Sequence, residues 1–361
     1  MSSGTGVVTP SWDRSRTVAT TSPSAAVSST VCHGYFACTW PTACHSTNLL
    51  IRPFHHSQFP PELLRERKRD PITVVLPTRE VSDTIGPIVE RLTALDLIDQ
   101  VLVVDAASGD GTADIAAALG ADVHQEADLL PEFGQVLGKG DAMWRALDVA
   151  EGELIVYLDS DTRAFSPHFA TGMLGPLICH PDDVRFVKGH FRRPYTTAEG
   201  DQRPIDGGRV TELTARPLLS AFYPELAAFV QPLAGEVAGP RSVFDQLPFA
   251  TGYAIETSML LHARDLLDGT DGMAQVDLEE RHNHHQPLRA LGPMAYAVLR
   301  VILERLRAEG RLEDDHAPPF QSADGQLIQV ELIERPPYAT LRARASDDSM
   351  RLHRPGRHAP R

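Results

Sequence analysis

The chain has 361 residues, 42% of them hydrophobic, enough to bury a substantial core in one large α/β domain or two modest ones. Its 34 basic residues against 48 acidic ones give a formal charge of −14, which argues against nucleic acid as a partner, because phosphate binding rests on clustered Lys and Arg. No apolar run approaches the roughly 20 residues that span a bilayer, and no charged n-region precedes an apolar h-region, so a cytoplasmic protein without membrane contact is expected.

Residues 1–50 are expected to form a disordered leader, rich in Ser, Thr, Ala and Val without a period. Cys32, Cys38 and Cys44 lie there with His33 and His45, but their spacing matches none of the common zinc pairings. Order is expected from about Ile51. ITVVLP (72–77) reads as a buried parallel strand, and TIGPIVERLTAL (84–95) as a helix. QVLVVDAASGDGT (100–112) is a second strand entering a turn, and TADIAAALGA (112–121) is a helix stopped by Gly120. A short strand at 122–124 follows, then a loop and helix over 138–152, and ELIVYLDSD (153–161) as a fourth strand. Alternating strands and helices predict a mostly parallel sheet covered on both faces, with ligands at the strands' C-terminal ends. Pro77, Asp105 and Asp159 fall at those ends.

Beyond residue 165 the pattern changes. A strand is expected over 185–195, a helix over 209–229 broken or kinked at Pro217, and a turn entering a helix over 248–267. A strand and a histidine-rich loop occupy 274–288, and an amphipathic helix 293–310. Residues 51–165 and 166–310 thus read as two successive parts of the ordered chain. A partly ordered extension (311–341), with one further strand over 330–341, and a disordered tail (342–361) should follow. There is no internal repeat.

Asp159 and Asp161, one residue apart at a strand exit, can hold a hard divalent cation that neutralises phosphate oxygens. A phosphatase of the haloacid-dehalogenase type needs Thr where Arg163 stands and uses its first strand. A sugar pyrophosphorylase needs a Gly-rich basic loop that LPTREVSDTIG lacks. A nucleotide-sugar glycosyltransferase needs four nucleotide-binding strands with the acid pair at the fourth exit, which is the arrangement found. Lys139 between two glycines can meet a phosphate while the backbone approaches a ligand closely. GGRVTE (207–212) sets Arg209 and Thr211 at a helix start, a natural anion pocket. In ERHNHHQP one imidazole of His282, His284 or His285 can add a metal ligand, with Arg281 facing a diphosphate.

The blocks IRPFHHSQFP, VVLPTRE, GKGDAMWRAL, LDSD, VKGHFRRP, GGRVTELTARPLL, QPLAGE, PFATGYAIE and QVDLEER…QPL, in that order, give the chain a resemblance to actinobacterial glucosyl-3-phosphoglycerate synthases. These are retaining glycosyltransferases of GT-A fold, and the resemblance runs from about Ile51 to Arg307. It implies a Rossmann-like α/β sheet, UDP-glucose and 3-phosphoglycerate as substrates, Mg2+ or Mn2+ as cofactor, and a homodimer. It also implies that Pro77, Thr78, Glu80, Ala106, Lys139, Asp159, Ser160 and Arg281 serve the nucleotide sugar. Gly208, Arg209, Thr211 and Tyr253 would serve the acceptor, and Lys139, Asp161 and Glu256 the chemistry.

Two departures from the family's pattern bear on donor and metal. The family's metal histidine falls at Asn283; a one-residue shift lets His284, or less favourably His282, take its place beside Asp161, and if neither reaches the ion its affinity falls or water fills the position. The Ser that meets the base is Ala106 here, and Arg79-Glu80-Val81 replaces the usual Asn-Glu-Glu. A related synthase using GDP-mannose or another acceptor, and a nucleotide-sugar-binding relative without catalysis, are the rival readings.

Overall fold

Hydrophobic residues of the central strands alternate between two cores. Val74, Leu76, Val101 and Val103 pack into one, and Val75, Leu102 and Val104 into the other. Successive strand side chains point to opposite faces, so continuous apolar runs are what a sheet covered on both sides requires.

The computed structural model describes residues 51–193, 195–196, 202–203, 208–282, 287–312, 320–321, 327–328 and 332–342. The leader with its Cys/His group, the tail beyond 342, and His284 and His285 lie outside the described residues. In chain order the first elements are β1 (Arg52–His55), α1 (Pro61–Arg67), β2 (Ile72–Thr78), α2 (Ser82–Thr93), β3 (Gln100–Asp105), α3 (Thr112–Ala118), β4 (Asp122–Gln125), α4 (Lys139–Ala146) and β5 (Leu154–Tyr157). There follow α5 (His168–Cys179), β6 (Phe186–Arg192), β7 (Tyr195–Thr196), β8 (Gln202–Arg203), α6 (Arg216–Phe222), β9 (Val237–Pro240), α7 (Arg241–Phe244) and β10 (Phe249–Ala250). The last are α8 (Ile255–Leu266), β11 (Met273–Glu280), α9 (Leu291–Ala308), β12 (Phe320–Gln321), β13 (Leu327–Ile328) and β14 (Glu334–Arg335).

One eight-stranded sheet runs β1-β11-β6-β9-β5-β2-β3-β4, and only β9 is antiparallel to its neighbours. The antiparallel insertion lets β6 and β11 present their C-terminal ends beside those of β5, β2 and β3. Both flanks of residue 165 contribute strands to this sheet. The expected break at Pro217 takes the form of a π-turn, Thr211–Ala215, that leads into α6 with the proline in its first turn. The wider turn accommodates a ring that would otherwise collide with the carbonyl four residues back.

The amphipathic helix α9 spends its apolar face inside the molecule, with Ala297, Val298, Val301, Ile302 and Leu306 in the core. That use explains its pattern without a partner subunit. Among the described residues, no helix is long and apolar enough to cross a membrane.

Candidate active site

β5 ends at Tyr157, and Asp159 and Asp161 stand just beyond it. Asp159 is held from two sides. Lys139 Nζ, from the first residue of α4, donates to its Oδ1 at 2.6 Å, and Arg281 Nη1, beyond the end of β11, donates to its Oδ2 at 2.8 Å. Burial alone would raise the Asp159 carboxyl, but the charges of Lys139 and Arg281 hold it well below the usual range. Gly235 makes this approach possible, since a Cβ there would lie 2.3 Å and 2.4 Å from the two carboxylate oxygens.

Lys139 also donates to Glu256 Oε1, in the first turn of α8, at 2.9 Å. Desolvation lowers its ammonium, yet Asp159 and Glu256 outweigh that and raise it. The side chain of Arg281 is 1% exposed, and its guanidinium binds three carboxylates. Besides Asp159 these are Glu236 Oε1 at 2.9 Å, through Nη1, and Asp161 Oδ1, through Nη2. The guanidinium lies 5.1 Å above the Phe191 ring, a cation–π contact.

Sequence reasoning missed three members of this cluster. Glu236, on the segment entering β9, is fully enclosed; burial pushes its carboxyl up, and its Oε2 has no hydrogen-bond partner. Lys188 of β6 is buried, donates to the Ala234 carbonyl at 2.5 Å, and is pulled down by burial to about 8. Arg193, just past β6, sits over Phe191 at 4.9 Å, has a buried Nε without a hydrogen bond, and is lowered by burial. Four cations (Lys139, Lys188, Arg193, Arg281) therefore face four carboxylates (Asp159, Asp161, Glu236, Glu256). None of the three missed residues belongs to a motif the sequence marks as a site; they come together only when β6 and β9 meet β5.

All of these charged groups except the fully enclosed Lys188 and Glu236 border a cavity of about 490 Å3 at the strand ends, within the usual range for small-molecule sites. Pro77, Thr78, Ala106, Lys139, Asp159, Ser160, Asp161, Glu256 and Arg281 all line it, as do Gly208, Arg209, Thr211 and Tyr253. The cavity thus unites the residues expected at the donor with those expected at the acceptor. Gly208 adopts φ 86°, which bends the chain into the helical turn that carries Arg209 and Thr211. Tyr253 is 57% exposed at the rim, and Leu291, Met294 and Val298 of α9 supply an apolar wall.

Glu80 is not among the lining residues. It adopts φ 50° and accepts from the Gly109 N–H at 2.8 Å, tying the loop after β2 to the loop after β3. His282 is exposed, and its carbonyl accepts from the Arg163 N–H at 2.8 Å. The two glycines around Lys139 differ in role: Gly138 lines the cavity at φ 87°, whereas a Cβ on Gly140 would sit 2.0 Å from the Ala250 carbonyl oxygen.

A short C-terminal segment fixes the Lys139 loop from behind. Arg335 of β14 donates to Asp141 Oδ1 at 2.7 Å through Nε and to Oδ2 at 2.8 Å through Nη2. Asp141 Oδ2 accepts from the Leu137 N–H at 2.9 Å, and Trp144 Nε1 donates to the Pro336 carbonyl at 2.9 Å. β14 also pairs with β10, which leads to Gly252 and Tyr253.

Comparison with known proteins adds independent findings. The family model for "Glycosyl transferase family 2" matches residues 73–215. A glucosyl-3-phosphoglycerate synthase of Petrotoga mobilis is 38% identical over 313 residues, covering 81% of this chain and 95% of that protein. The crystal structure of mannosyl-3-phosphoglycerate synthase from Rubrobacter xylanophilus superposes with a TM-score of 0.73 at 47% identity, covering 80% of this chain and 97% of the other. That of glucosyl-3-phosphoglycerate synthase from Mycobacterium tuberculosis with Mn2+, UDP-glucose and phosphoglyceric acid gives 0.72 at 34% identity, covering 81% and 99%.

Proposed function

The chain belongs to the glucosyl-3-phosphoglycerate synthase family, metal-dependent glycosyltransferases of GT-A fold, and on that premise we propose that it moves glucose from UDP-glucose to the 2-hydroxyl of 3-phosphoglycerate with retention. The observation that carries this reading is the shared cavity, in which Arg209 and Thr211 face the same space as Lys139, Asp159 and Asp161. The bond broken joins the anomeric carbon to a diphosphate oxygen. The bond formed joins that carbon to the acceptor hydroxyl oxygen, and the hydroxyl proton leaves with the diphosphate.

Asp161 fits a hard cation. Its side chain is 45% exposed, Arg281 occupies Oδ1, and Oδ2 has no partner among the described residues. A carboxylate oxygen with phosphate oxygens suits Mg2+ or Mn2+, and His282 or His284 is the imidazole we assign beside it. When bound, the ion stabilises the negative charge of the departing diphosphate. Lys139 adds a fixed positive charge to the same oxygens. Arg281 spends three of its five N–H donors on carboxylates, so a diphosphate oxygen can meet its Nη2 beside Asp161 or take that carboxylate's place. Arg209 and Thr211 hold the acceptor's phosphate, and orientation within one cavity supplies much of the acceleration. Glu256, neutralised by Lys139, lies where the sugar would pass. A cytoplasmic homodimer belongs to the same proposal.

A second donor is favoured by one specific finding: the Rubrobacter relative is a mannosyl-transferring synthase at 47% identity. Ala106, which lines the cavity, also lacks the hydroxyl that the family uses toward the base. UDP or GDP release measured for UDP-glucose and GDP-mannose, each with 3-phosphoglycerate and with Mg2+ or EDTA, decides between them. Metal-dependent release from UDP-glucose alone supports the first reading and release from GDP-mannose alone the second. No release from either donor refutes both.

A further inference from the structure

The edge of the sheet carries a second group of ligating side chains. β1 is the edge strand and pairs in parallel with β11, His55 opposite Asp277. Adjacent residues of a strand point to opposite faces, so two neighbouring histidines would ordinarily part. Here the chain changes conformation between them. His55 is extended, with φ −121° and ψ 138°, and His56 opens a 3-10 turn. The two imidazoles consequently lie together, centroids 4.6 Å apart. Glu279 of β11 joins them, its Oε1 3.1 Å from His56 Nε2 and 4.0 Å from His55 Nε2. The three ligand atoms all fall within 4.8 Å of one another.

Several features hold this group in place. Glu279 adopts φ 65°, a left-handed conformation that costs energy for a residue with a Cβ. It sits in the irregularity between Asp277 and Glu280, where its N–H donates to Asp277 Oδ1 at 2.8 Å. His55 Nδ1 lies 2.8 Å from Ser57 Oγ and accepts from the Ser57 N–H at 3.2 Å, so binding a metal through Nε2 requires that backbone contact to give way as Nδ1 takes the proton and turns to Ser57 Oγ. His56 Nε2 is buried and, although near Glu279, makes no aligned hydrogen bond. Gly172 of α5 lets that helix press against His56, since a Cβ there would come within 2.9 Å of His56 Cβ. The His168 ring lies 4.2 Å from that of His56, tilted by 32°, but is excluded as a ligand, because its two nitrogens are engaged by Ser166 Oγ and the Leu278 carbonyl.

We propose that His55, His56 and Glu279 form a second metal site, selective for a borderline divalent ion of the Zn2+ class and distinct from the hard-cation position at Asp161. Two imidazole nitrogens and one carboxylate oxygen suit Zn2+ or Co2+ far better than Mg2+. A tetrahedral zinc with bonds of about 2.0–2.2 Å places its ligand atoms roughly 3.3 Å apart, so side-chain rotations suffice to close the set. None of the three residues lines the substrate cavity. The fourth position falls to water, and the ion pins the edge strand to the strand whose exit carries Arg281.

The test uses the full-length protein, stripped with a chelator and titrated with Co2+ in the presence of Mg2+, as wild type, His56→Ala, Glu279→Gln and Asp161→Asn. Circular dichroism verifies folding, and Glu279→Gln keeps the side chain's size should His56→Ala misfold. The expected result is visible d–d absorption of a tetrahedral site without a thiolate charge-transfer band. Affinity should be at least about tenfold weaker in His56→Ala and Glu279→Gln and unchanged in Asp161→Asn. Equal titrations of the wild type and both ligand variants overturn the proposal. So does a spectrum lost only in Asp161→Asn, or one carrying a thiolate band, which assigns the ion to the N-terminal cysteines.

Discussion

Arg335→Ala removes the guanidinium that grips both oxygens of Asp141. Asp141 has no solvent exposure, so water cannot replace what is lost. Breaking a buried pair from one side costs about 3–5 kcal/mol, because an uncompensated charge stays behind. Arg145 Nε, 3.4 Å from Asp141 Oδ1, and the Leu137 N–H remain and offset part of this, which favours the lower end, about 3 kcal/mol. The same change deletes cation–π contacts with Phe133 and Trp144. Urea melts should show the midpoint falling at unchanged slope, and at about 2–4 °C per kcal/mol the melting temperature should drop by roughly 6–12 °C. Asp141→Asn in the Arg335→Ala background should recover much of the loss, as removal of the orphaned charge predicts. The sign of the pH dependence follows from Asp141. Burial would raise its carboxyl, but Arg335, the Leu137 N–H and the Arg145 charge together outweigh that and lower it. Its stabilisation is therefore complete above the unfolded value of about 4 and lost as pH falls through the lower folded value. A loss below about 1 kcal/mol in Arg335→Ala, within the range of an exposed pair, would refute the assignment of Arg335 as the clamp on the Lys139 loop.

Other expectations follow from the site. Lys188 is pulled down to about 8 by burial, so between pH 8 and 10 the unfolded chain binds more protons and stability should rise with pH; a urea-midpoint series should show this rise in the wild type and not in Lys188→Met. Gly235→Ala drives a Cβ into the Asp159 carboxylate, and UDP affinity by calorimetry should weaken at least about tenfold, equivalent to roughly 1.4 kcal/mol. Arg209→Lys exchanges a planar fork for a point charge; KM for 3-phosphoglycerate should rise about tenfold or more while that for the nucleotide sugar stays within about twofold.

How much of this was legible depended on whether a residue's role was local. The strands at 72–78, 100–105 and 154–157 announce themselves through β-branched runs, and Asp159 and Asp161 through their place at a strand exit. α5 escaped notice because it is buried on almost every side, from Phe169 to Leu177. A helix without a polar face has no 3.6-residue contrast to detect. β9 escaped because VAGP is four small residues whose strand character comes from insertion between β5 and β6. Lys139 and its flanking glycines were found, but the demand on Gly140 was not: it admits the backbone of Ala250, a contact between positions more than a hundred residues apart that no local pattern encodes.

The same distinction explains why the charge cluster exceeds its recognisable motif. A strand-exit acid pair alone would leave two carboxylates repelling each other beside a cavity. Arg281 resolves that by binding both, with Glu236 as a third, and its own desolvation is tolerable only because all three oppose it. Lys139 does the same for Asp159 and Glu256. Four cations and four carboxylates therefore preassemble the site near neutrality before any substrate arrives. An incoming diphosphate brings negative charge that this set does not cancel, so the arrangement itself calls for a divalent cation to enter with it. On the proposed reading Asp161, the most exposed of the four acids, turns from Arg281 toward that cation and so links the resting charge network to the loaded one.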